Sequence, residues 1–326
     1  MKNYLFILLI CLGCASKKEI VVPKFESKIV SNEKLSCRAI FVDADKVWLG
    51  MDKGRYGFYD KKKDTLVVKT IQSVSNTTEF RSIAATKDAI FILAVGNPAK
   101  LIKIDKKSLQ ETIVYQEENE KVFYDSMQFV DNLNGFAMGD PTEDCLSFIK
   151  TTDGGNSWEK ISCANFPKVS EGEAAFATSN TNLIVKGKSI FMVSGGKKSR
   201  VFVSHDFGTS WQVYETPIVQ GEEMTGIFTA DFYNDKTGII AGGNYLKQTQ
   251  NWSNKAITTN GGKTWNLIAE NEAFGYASCV QFVPNSKAKQ LISVGGTGMF
   301  YSSDFGKCWT NFSDDNDFYT FRFESE

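Results

Sequence analysis

A turn-like sequence recurs four times in this chain and constrains its fold more than any other feature. The frame is Ser or Thr, any residue, Asp or Asn, any residue, Gly, two further residues and Trp. Its copies are residues 151–158, 204–211, 258–265 and 302–309. The Asp or Asn oxygen can accept hydrogen bonds from the turn backbone, Gly tolerates positive φ, and Trp anchors the next strand. Four such copies, each between apolar strand-like runs, indicate a repeat protein.

The repeated frame resembles the Asp-box, or BNR repeat, of sialidases, sortilins and photosystem II assembly-factor-like proteins. Because those families are propellers, the resemblance implies an all-β fold, a β-propeller. It also implies that the boxes are structural and do not mark a reaction site. The implied structural residues are Asp153, Trp158, Asp206, Trp211, Asn260, Trp265, Asp304 and Trp309.

The number of blades follows from counting strands and turns. Seven segments open a unit as an inner strand: residues 38–42, 80–85, 124–130, 173–177, 226–232, 276–283 and 318–323. Six apolar strands end in Gly, and weaker acidic turns at residues 60–64 and 105–108 replace the box in the first two units. The spacing of about 40–55 residues is typical of propeller blades. We predict seven blades, with residues 20–30 and 318–323 sharing an incomplete closing blade. The alternatives are six blades with an extra strand, or a chain cut short.

The first residues have the pattern of an export signal. Lys2 precedes a short apolar run, residues 4–12, which is too short to span a bilayer. Gly13–Cys14 resembles a lipobox, so we expect residues 1–13 to be a lipoprotein signal peptide, Cys14 to be lipidated and residues 14–19 to form a tether. Residues 20–326 would then be one propeller domain, exported to the cell envelope and held to the membrane by the lipid alone. An ordinary cleaved signal is the alternative.

Composition argues against several classes of function. The formal net charge of −1 gives no electrostatic case for binding nucleic acid. His205 is the single histidine, which nearly excludes a histidine metal cluster or a Ser-His-Asp triad. No glycine-rich phosphate loop opens a helix. We therefore expect no metal and no cofactor.

Cys145 and Cys163 lie nine residues either side of Gly154. If Gly154 and Gly155 form a hairpin turn, the two thiols face each other across its strands and a disulfide is plausible in an oxidising compartment. Two free buried thiols are the alternative.

In a propeller the inner strands line the central channel, and we expect ligands at the face where those strands begin, away from the box turns. The candidate ligand-binding residues at this channel mouth are Arg38, Arg81, Asp125, Asp140, Glu171, Glu173 and Arg200. Arginines placed there could grip carboxylates in bidentate fashion. The alternative is that Arg38, Arg81, Asp125 and Glu173 pair with one another and only plug the channel.

Two functions are carried forward. The lipobox-like start and residues 38–42, 136–141, 171–176 and 194–202 are similar to bacterial envelope proteins of the photosystem II assembly-factor-like group. That resemblance implies a non-catalytic module that binds or assembles a protein, or binds a small acidic or glycan ligand. The alternative is a sialidase-like glycoside hydrolase, for which carboxylates are available but the family's arginine motif is missing, so we name no catalytic residue.

Overall fold

The computed structural model describes residues 25–324; the predicted signal peptide, Cys14 and the tether lie outside these residues. The described chain folds into six antiparallel sheets that follow one another along the sequence, and the first strands of successive sheets lie next to each other. This arrangement is a β-propeller. Among residues 25–324, no helix is long and apolar enough to cross a bilayer.

The blades are numbered in chain order. Blades one to three are β1 (Cys37–Val42), β2 (Lys46–Met51), β3 (Arg55–Asp60), β4 (Thr65–Thr70), β5 (Phe80–Ala85), β6 (Ala89–Ala94), β7 (Ala99–Asp105), β8 (Glu111–Glu117), β9 (Tyr124–Phe129), β10 (Gly135–Gly139), β11 (Ser147–Thr151) and β12 (Glu159–Lys160). Blade four spans β13 (Glu173–Ala174), β14 (Leu183–Lys186), β15 (Ser189–Val193), β16 (Gly195–Gly196), β17 (Arg200–Ser204) and β18 (Gln212–Glu215). Blades five and six are β19 (Thr225–Phe232), β20 (Gly238–Asn244), β21 (Lys255–Thr258), β22 (Asn266–Leu267), β23 (Ala277–Phe282), β24 (Leu291–Gly295), β25 (Gly298–Ser302) and β26 (Thr310–Ser313).

The prediction of seven blades is wrong, and the six-bladed alternative holds for the described residues. Residues 318–323 form no strand, and neither do residues 25–30. The C-terminal segment instead lies between blades six and one: the Phe321 carbonyl is 4.0 Å from Cys279 Sγ of β23, and the Arg38 guanidinium of β1 lies 4.1 Å from the Tyr319 ring centroid. The segment has the apolar pattern of an inner strand, but no second strand pairs with it to make a blade.

Apolar cores lie between neighbouring blades. Strand β6 is buried along its whole length because both faces of its sheet are covered by adjacent blades. The Phe191 and Phe232 rings, for example, stack with centroids 3.6 Å apart between blades four and five.

The junction between blades six and one, here called the seam, differs from the others. Its buried cluster contains Cys279, Val294 and Met299, with Phe321 of the C-terminal segment packed against it. The clusters at the other five junctions are all larger. The ring of blades is thus completed by the C-terminal segment where direct packing is least.

The four repeated frames form turns of one geometry, here called corner turns. In the first, Gly155 N donates to Thr151 Oγ1 at 3.0 Å and Ser157 N donates to Asp153 Oδ1 at 3.1 Å. The same two bonds recur in the others, on Ser204 and Asp206, Thr258 and Asn260, and Ser302 and Asp304. The indole N–H of Trp211, Trp265 and Trp309 donates to the turn glycine's carbonyl, whereas Trp158 Nε1 is buried without a partner among the described residues. The Ser or Thr and the Asp or Asn side chains of the four turns therefore find hydrogen-bond partners within their own turn.

The turns that join the third and fourth strands lie on the same side of all six blades. In each blade, an N–H of the turn joining the third and fourth strands donates to a carbonyl of the turn joining the first and second, as in Gly154 N to Leu133 O at 3.0 Å and Gly261 N to Lys236 O at 2.9 Å. All these turns consequently share one face of the propeller, here called the turn face. The opposite face, where the inner strands begin, is called the start face.

The inner strand of blade four is interrupted. Glu173 and Ala174 pair with Gly196 and Gly195, and pairing resumes only at Leu183 with Met192. The intervening residues 175–181, here called the plug, leave the sheet and reach several other blades. Ser179 Oγ donates to the Ser278 carbonyl of blade six at 2.6 Å. The sequence predicted a continuous strand over residues 173–177, and only its first two residues are one.

The channel is closed by the plug together with the C-terminal segment. Asn180 Nδ2 donates to the Ile83 carbonyl of blade two at 2.8 Å, and Asn180 Oδ1 accepts from Met127 N of blade three at 2.8 Å. From the seam, Arg322 donates to the Ser179 carbonyl at 2.7 Å. The channel therefore ends in a floor with one recess on either side.

The disulfide between Cys145 and Cys163 is present, with Cα atoms 5.5 Å apart. This confirms the disulfide and not the alternative of two free thiols. The bond joins the residues before β11 and after β12 at the open end of their hairpin.

Candidate functional site

The seven residues predicted to line the channel mouth lie toward the start face, but they form separate groups. Arg38 and Arg81 line the same small cavity, together with Asp52 and Glu79. Arg38 Nε is buried and has no hydrogen-bond partner among the described residues, and its guanidinium stacks on Tyr319. Within residues 25–324, Arg38 therefore carries a charge that no carboxylate pairs with.

Arg81 is already paired. Its Nε and Nη2 donate to one oxygen of Glu79 at 2.8 and 2.6 Å, and Nη1 lies 3.4 Å from the Ala177 carbonyl of the plug. The sequence did not suggest Glu79, although it stands two residues before Arg81 on the same strand entry. A cleft of about 250 Å³ lies beside this pair, between residues 74–79 and 94–98.

Asp125 and Asp140 form the second group. Asp125 is fully buried, and neither of its carboxylate oxygens has a hydrogen-bond partner among the described residues. Burial raises the pKa of Asp125 well above its usual range, the nearby Asp140 raises it further, and Arg81 opposes this. Burial also raises the pKa of Asp140 to about 6, against the effect of the Ala175 N–H that donates to it at 2.8 Å. The two carboxyl groups therefore favour holding protons.

Glu173 and Arg200 form the third group, a buried ion pair. Arg200 donates from Nε to Oε1 at 2.9 Å and from Nη2 to Oε2 at 2.5 Å, and Ser194 Oγ donates to Oε1 at 2.6 Å. The Glu173 side chain is wholly inaccessible to solvent. Glu171, two residues earlier, is exposed and stands apart. The structure thus does not gather the seven residues into one site, and Glu173 is paired with Arg200, not with Arg38 or Arg81.

One trio of described residues has metal-ligand atoms within 4.8 Å of each other: Glu143, Asp144 and Cys163. Cys163 is already bonded to Cys145, and Asp144 is paired with Lys168 at 2.5 Å. This trio is poorly suited to a metal ion.

A larger recess lies at the opposite end of the channel, on the turn face. It has a volume of about 300 Å³, and the ends of the inner strands form its wall. We call it the turn-face mouth. Its polar side chains come from blades three to six, and its apolar ones mainly from blades one and two. The polar set is Gln128, Lys186, Asp231 and Gln281; the apolar set includes Phe41, Val42, Ala84 and Ala85.

The floor of the turn-face mouth is made by the plug and the C-terminal segment, through Asn180, Thr181 and Arg322. The Arg322 guanidinium donates to the Ser179 and Asn180 carbonyls at 2.7 and 3.3 Å and to the Phe321 carbonyl at 2.6 Å. Among residues 25–324 it has no carboxylate partner. The floor is therefore positively charged.

The sequence contained an unused signal for this mouth. The inner strands of blades three, five and six each end in a polar residue followed by Phe: Gln128–Phe129, Asp231–Phe232 and Gln281–Phe282. The Phe packs between blades while the polar residue faces the channel, because successive strand residues point to opposite sides. The ligand site predicted from the sequence lies at the start face, so these positions are not among the predicted site residues.

No protein-family model matches the sequence, and a search of curated proteins finds no match. Solved structures do match in fold. One is described as YCF48 bound to D1 peptide, with a TM-score of 0.61 and 12% identity over 90% of this chain and 88% of that one. YCF48 from Cyanidioschyzon merolae has a TM-score of 0.60 and 10% identity, covering 86% and 85%. The structure of U3-55K has a TM-score of 0.60 and 11% identity, covering 84% and 79%. At these identities the likeness concerns the fold, and it supports the predicted similarity to photosystem II assembly-factor-like propellers.

Proposed function

We propose that this protein is a non-catalytic binding or assembly module of the cell envelope, and that Arg38 and Arg81 at the start face bind a carboxylate of a protein partner or of a small acidic or glycan ligand. The observation that carries the proposal is the unpaired state of Arg38. Arg55, Arg81 and Arg200 each have a carboxylate partner, whereas Arg38 has none among the described residues. A half-buried guanidinium in this state favours an incoming carboxylate, with which it can form charge-assisted hydrogen bonds.

The surroundings of Arg38 favour a peptide. The adjacent cleft of about 250 Å³ is open to the same face and includes Pro98 and Val74 in its walls. A peptide with an acidic residue could place its carboxylate at Arg38 and an apolar side chain in the cleft. One fold neighbour is described as a propeller bound to a peptide, which supports this type of partner without identifying it.

The test is binding of immobilised acidic peptides to the purified protein, measured by interferometry. We expect the Arg38→Ala, Arg81→Ala double variant to lose binding while its thermal stability is kept. The matched control is Arg55→Ala, which removes the same charge from an arginine paired with Asp52. Binding that survives in the double variant, or an equal loss in the control, would show that the assignment is wrong.

Anchoring by a lipid on Cys14 belongs to the same proposal, and it is supported by the apolar run and Gly13–Cys14 in the sequence. We expect the wild type to incorporate a fatty-acid label and to fractionate with membranes. Cys14→Ala should lose both properties. A labelled, membrane-bound Cys14→Ala variant would exclude this anchor.

No observation favours the sialidase-like alternative. Glu173, one of the carboxylates predicted at the channel mouth, is inaccessible and held through both oxygens by Arg200, so it lacks the access that a general acid or nucleophile needs. A panel of fluorogenic glycosides provides the check. Turnover that is lost in Glu173→Gln would reverse this conclusion.

A further inference from the structure

The turn-face mouth contains a hydrogen-bond acceptor that the fold leaves unused. Gln128 Oε1 of blade three accepts from Val185 N of blade four at 2.8 Å. Asp231 Oδ2 of blade five accepts from Phe282 N of blade six at 2.8 Å. In both cases the polar side chain at the end of an inner strand holds the inner strand of the next blade.

Gln281 has the corresponding position in blade six, but the next element is the seam. Its Oε1 is buried and has no hydrogen-bond partner among the described residues. A buried amide oxygen without a donor is costly. Gln281 lines the mouth, so a ligand bound there can supply the missing donor.

The charges of the mouth favour an anion. Lys186 and Arg322 are cationic, and Asp231 is the one acidic side chain in the described lining. Lys186 interacts electrostatically with Asp231, yet the two are too far apart to form an ion pair. Lys186 therefore retains a free ammonium group at the rim, and Arg322 adds positive charge from the floor.

The size and shape of the mouth restrict the ligand further. A volume of about 300 Å³ is at the small end of ligand sites, which run from about 300 to 1,000 Å³. Blades three to six contribute amide and charged groups to the wall. Apolar side chains come from blades one to five and from the C-terminal segment, and the largest are Phe41, Phe129 and Phe323. A pyranose ring has the matching character, because its hydroxyl groups project from the edge while its C–H groups form an apolar face.

We propose that the turn-face mouth binds a sugar acid of one or two rings. A ring hydroxyl donates to Gln281 Oε1, the carboxylate lies beside the Lys186 ammonium, and the apolar face of the ring packs toward Phe41. This site is independent of the arginine site on the start face, since the plug and the C-terminal segment separate the two.

The experiment is calorimetric titration of the purified full chain with sodium glucuronate and, separately, with glucose. We expect saturable binding of glucuronate and weaker binding of glucose, which has the same ring without the carboxylate. Lys186→Met should weaken glucuronate binding at least roughly tenfold, as expected for loss of a charge-assisted contact, and should leave glucose binding unchanged. Gln281→Leu should weaken binding of both sugars.

Two controls separate the outcomes. Lys188→Met removes an exposed lysine two residues from Lys186 and should not alter binding. Arg38→Ala tests the start face and should also leave glucuronate binding unchanged, so failure of one proposal does not imply failure of the other. The assignment is overturned if neither sugar binds saturably, if glucose binds as tightly as glucuronate, or if Lys188→Met has the effect of Lys186→Met.

Discussion

The carboxylates of the corner turns and those of the channel have opposite environments. Asp206 lies at the surface, and the Ser210 hydroxyl together with the Ser210 and Thr209 backbone N–H groups lowers its pKa to about 2. Asp125 lies in the channel without a hydrogen bond, and its pKa is raised by burial. Asp206 therefore stabilises the fold as an anion, whereas burial favours the protonated form of Asp125.

This difference separates the parts of the molecule that hold the fold from the parts that remain available for function. A corner turn pairs most of its donors and acceptors within its own eight residues or with the neighbouring turn of its blade, so it offers little to a ligand. The channel brings together residues from all blades and leaves several of their polar groups unsatisfied. Such groups are costly to keep, which is why they are better candidates for binding than the repeated residues are.

The largest effect is expected from the tryptophan of a corner turn. Trp265 is buried, packs edge-on against Phe232 with centroids 6.0 Å apart, and donates to the Gly262 carbonyl. Trp265→Ala should lower the free energy of unfolding by about 3–5 kcal/mol, because it leaves a cavity and an unfilled turn. Chemical denaturation measures this.

Trp252 is the matched control for that experiment, since its side chain is 47% exposed and it belongs to no corner turn. Trp252→Ala should change the free energy of unfolding by less than about 0.5 kcal/mol. Equal losses in the two variants would mean that the corner turns are not the stabilising part of the comparison.

The second substitution is expected to raise the free energy of unfolding, and it tests the carboxylates of the channel. Because the pKa values of Asp125 and Asp140 are raised in the folded protein, their stabilising contribution is present in full below pH about 4 and is lost as the pH rises through 6 and beyond. Asp125→Asn cannot ionise and escapes this loss. We therefore expect the variant to have a higher free energy of unfolding than the wild type at pH 8, and a similar one at pH 4.

Denaturation curves at pH 4, 6 and 8 provide the measurement, and the exposed Asp235→Asn is the control. A gain that does not change with pH would contradict the assignment. It would mean that the gain does not come from the ionisation of Asp125. A loss of stability at pH 8 would also contradict the assignment, because it would mean that Asp125 is ionised in the folded protein and stabilised by a partner such as Arg81.

The sequence predicted the parts of the fold that are decided locally. The inner strand Phe80–Ala85 has the predicted bounds, and the weaker acidic turn at residue 105 works as expected, with Asp105 Oδ1 accepting from Lys107 N and Ser108 N at 3.0 and 2.7 Å. In these places the side-chain pattern and the turn residues determine the backbone without help from distant contacts.

The blade count and the site depended on contacts distant in sequence. Apolar and polar side chains alternate along residues 318–323 as they do in a strand. Two contacts show instead that these residues close the seam: the Phe321 carbonyl lies near Cys279, and the Tyr319 ring contacts Arg38. The plug leaves its sheet because Ser179 and Asn180 find partners in other blades. Likewise, Glu79 neutralises the charge of Arg81, and Arg200 neutralises the charge of Glu173. The position of these residues along their strands does not reveal either pair.

The smallest effect on stability is expected from replacing Asp by Asn in a corner turn, because one corner turn of the protein already has Asn at that position. The third corner turn has Asn260 where the second has Asp206, and Asn260 Oδ1 accepts from Thr264 N at 3.0 Å just as Asp206 Oδ1 accepts from Ser210 N at 2.8 Å. In the Asn turn, Nδ2 donates to the Thr264 hydroxyl at 2.8 Å, so the amide reverses one hydrogen bond, while its Oδ1 still accepts from the Thr258 hydroxyl and from Thr264 N. Asp206→Asn should therefore lower Tm only slightly at pH 7, through loss of the charge and of the bond from Thr209 N, whereas Asp206→Ala should lower it further by losing every bond.

The pH dependence distinguishes this turn from the channel. Since the pKa of Asp206 is lowered in the folded protein, the stability contributed by its charge is present above pH about 4 and is lost as the pH falls through 2. Asp206→Asn removes the loss of stability at acidic pH, whereas Asp125→Asn removes the loss of stability at alkaline pH. If both variants gained stability in the same direction of pH, the two sets of carboxylates would not differ as the structure indicates, and the division between self-sufficient turns and an unsatisfied channel would fail.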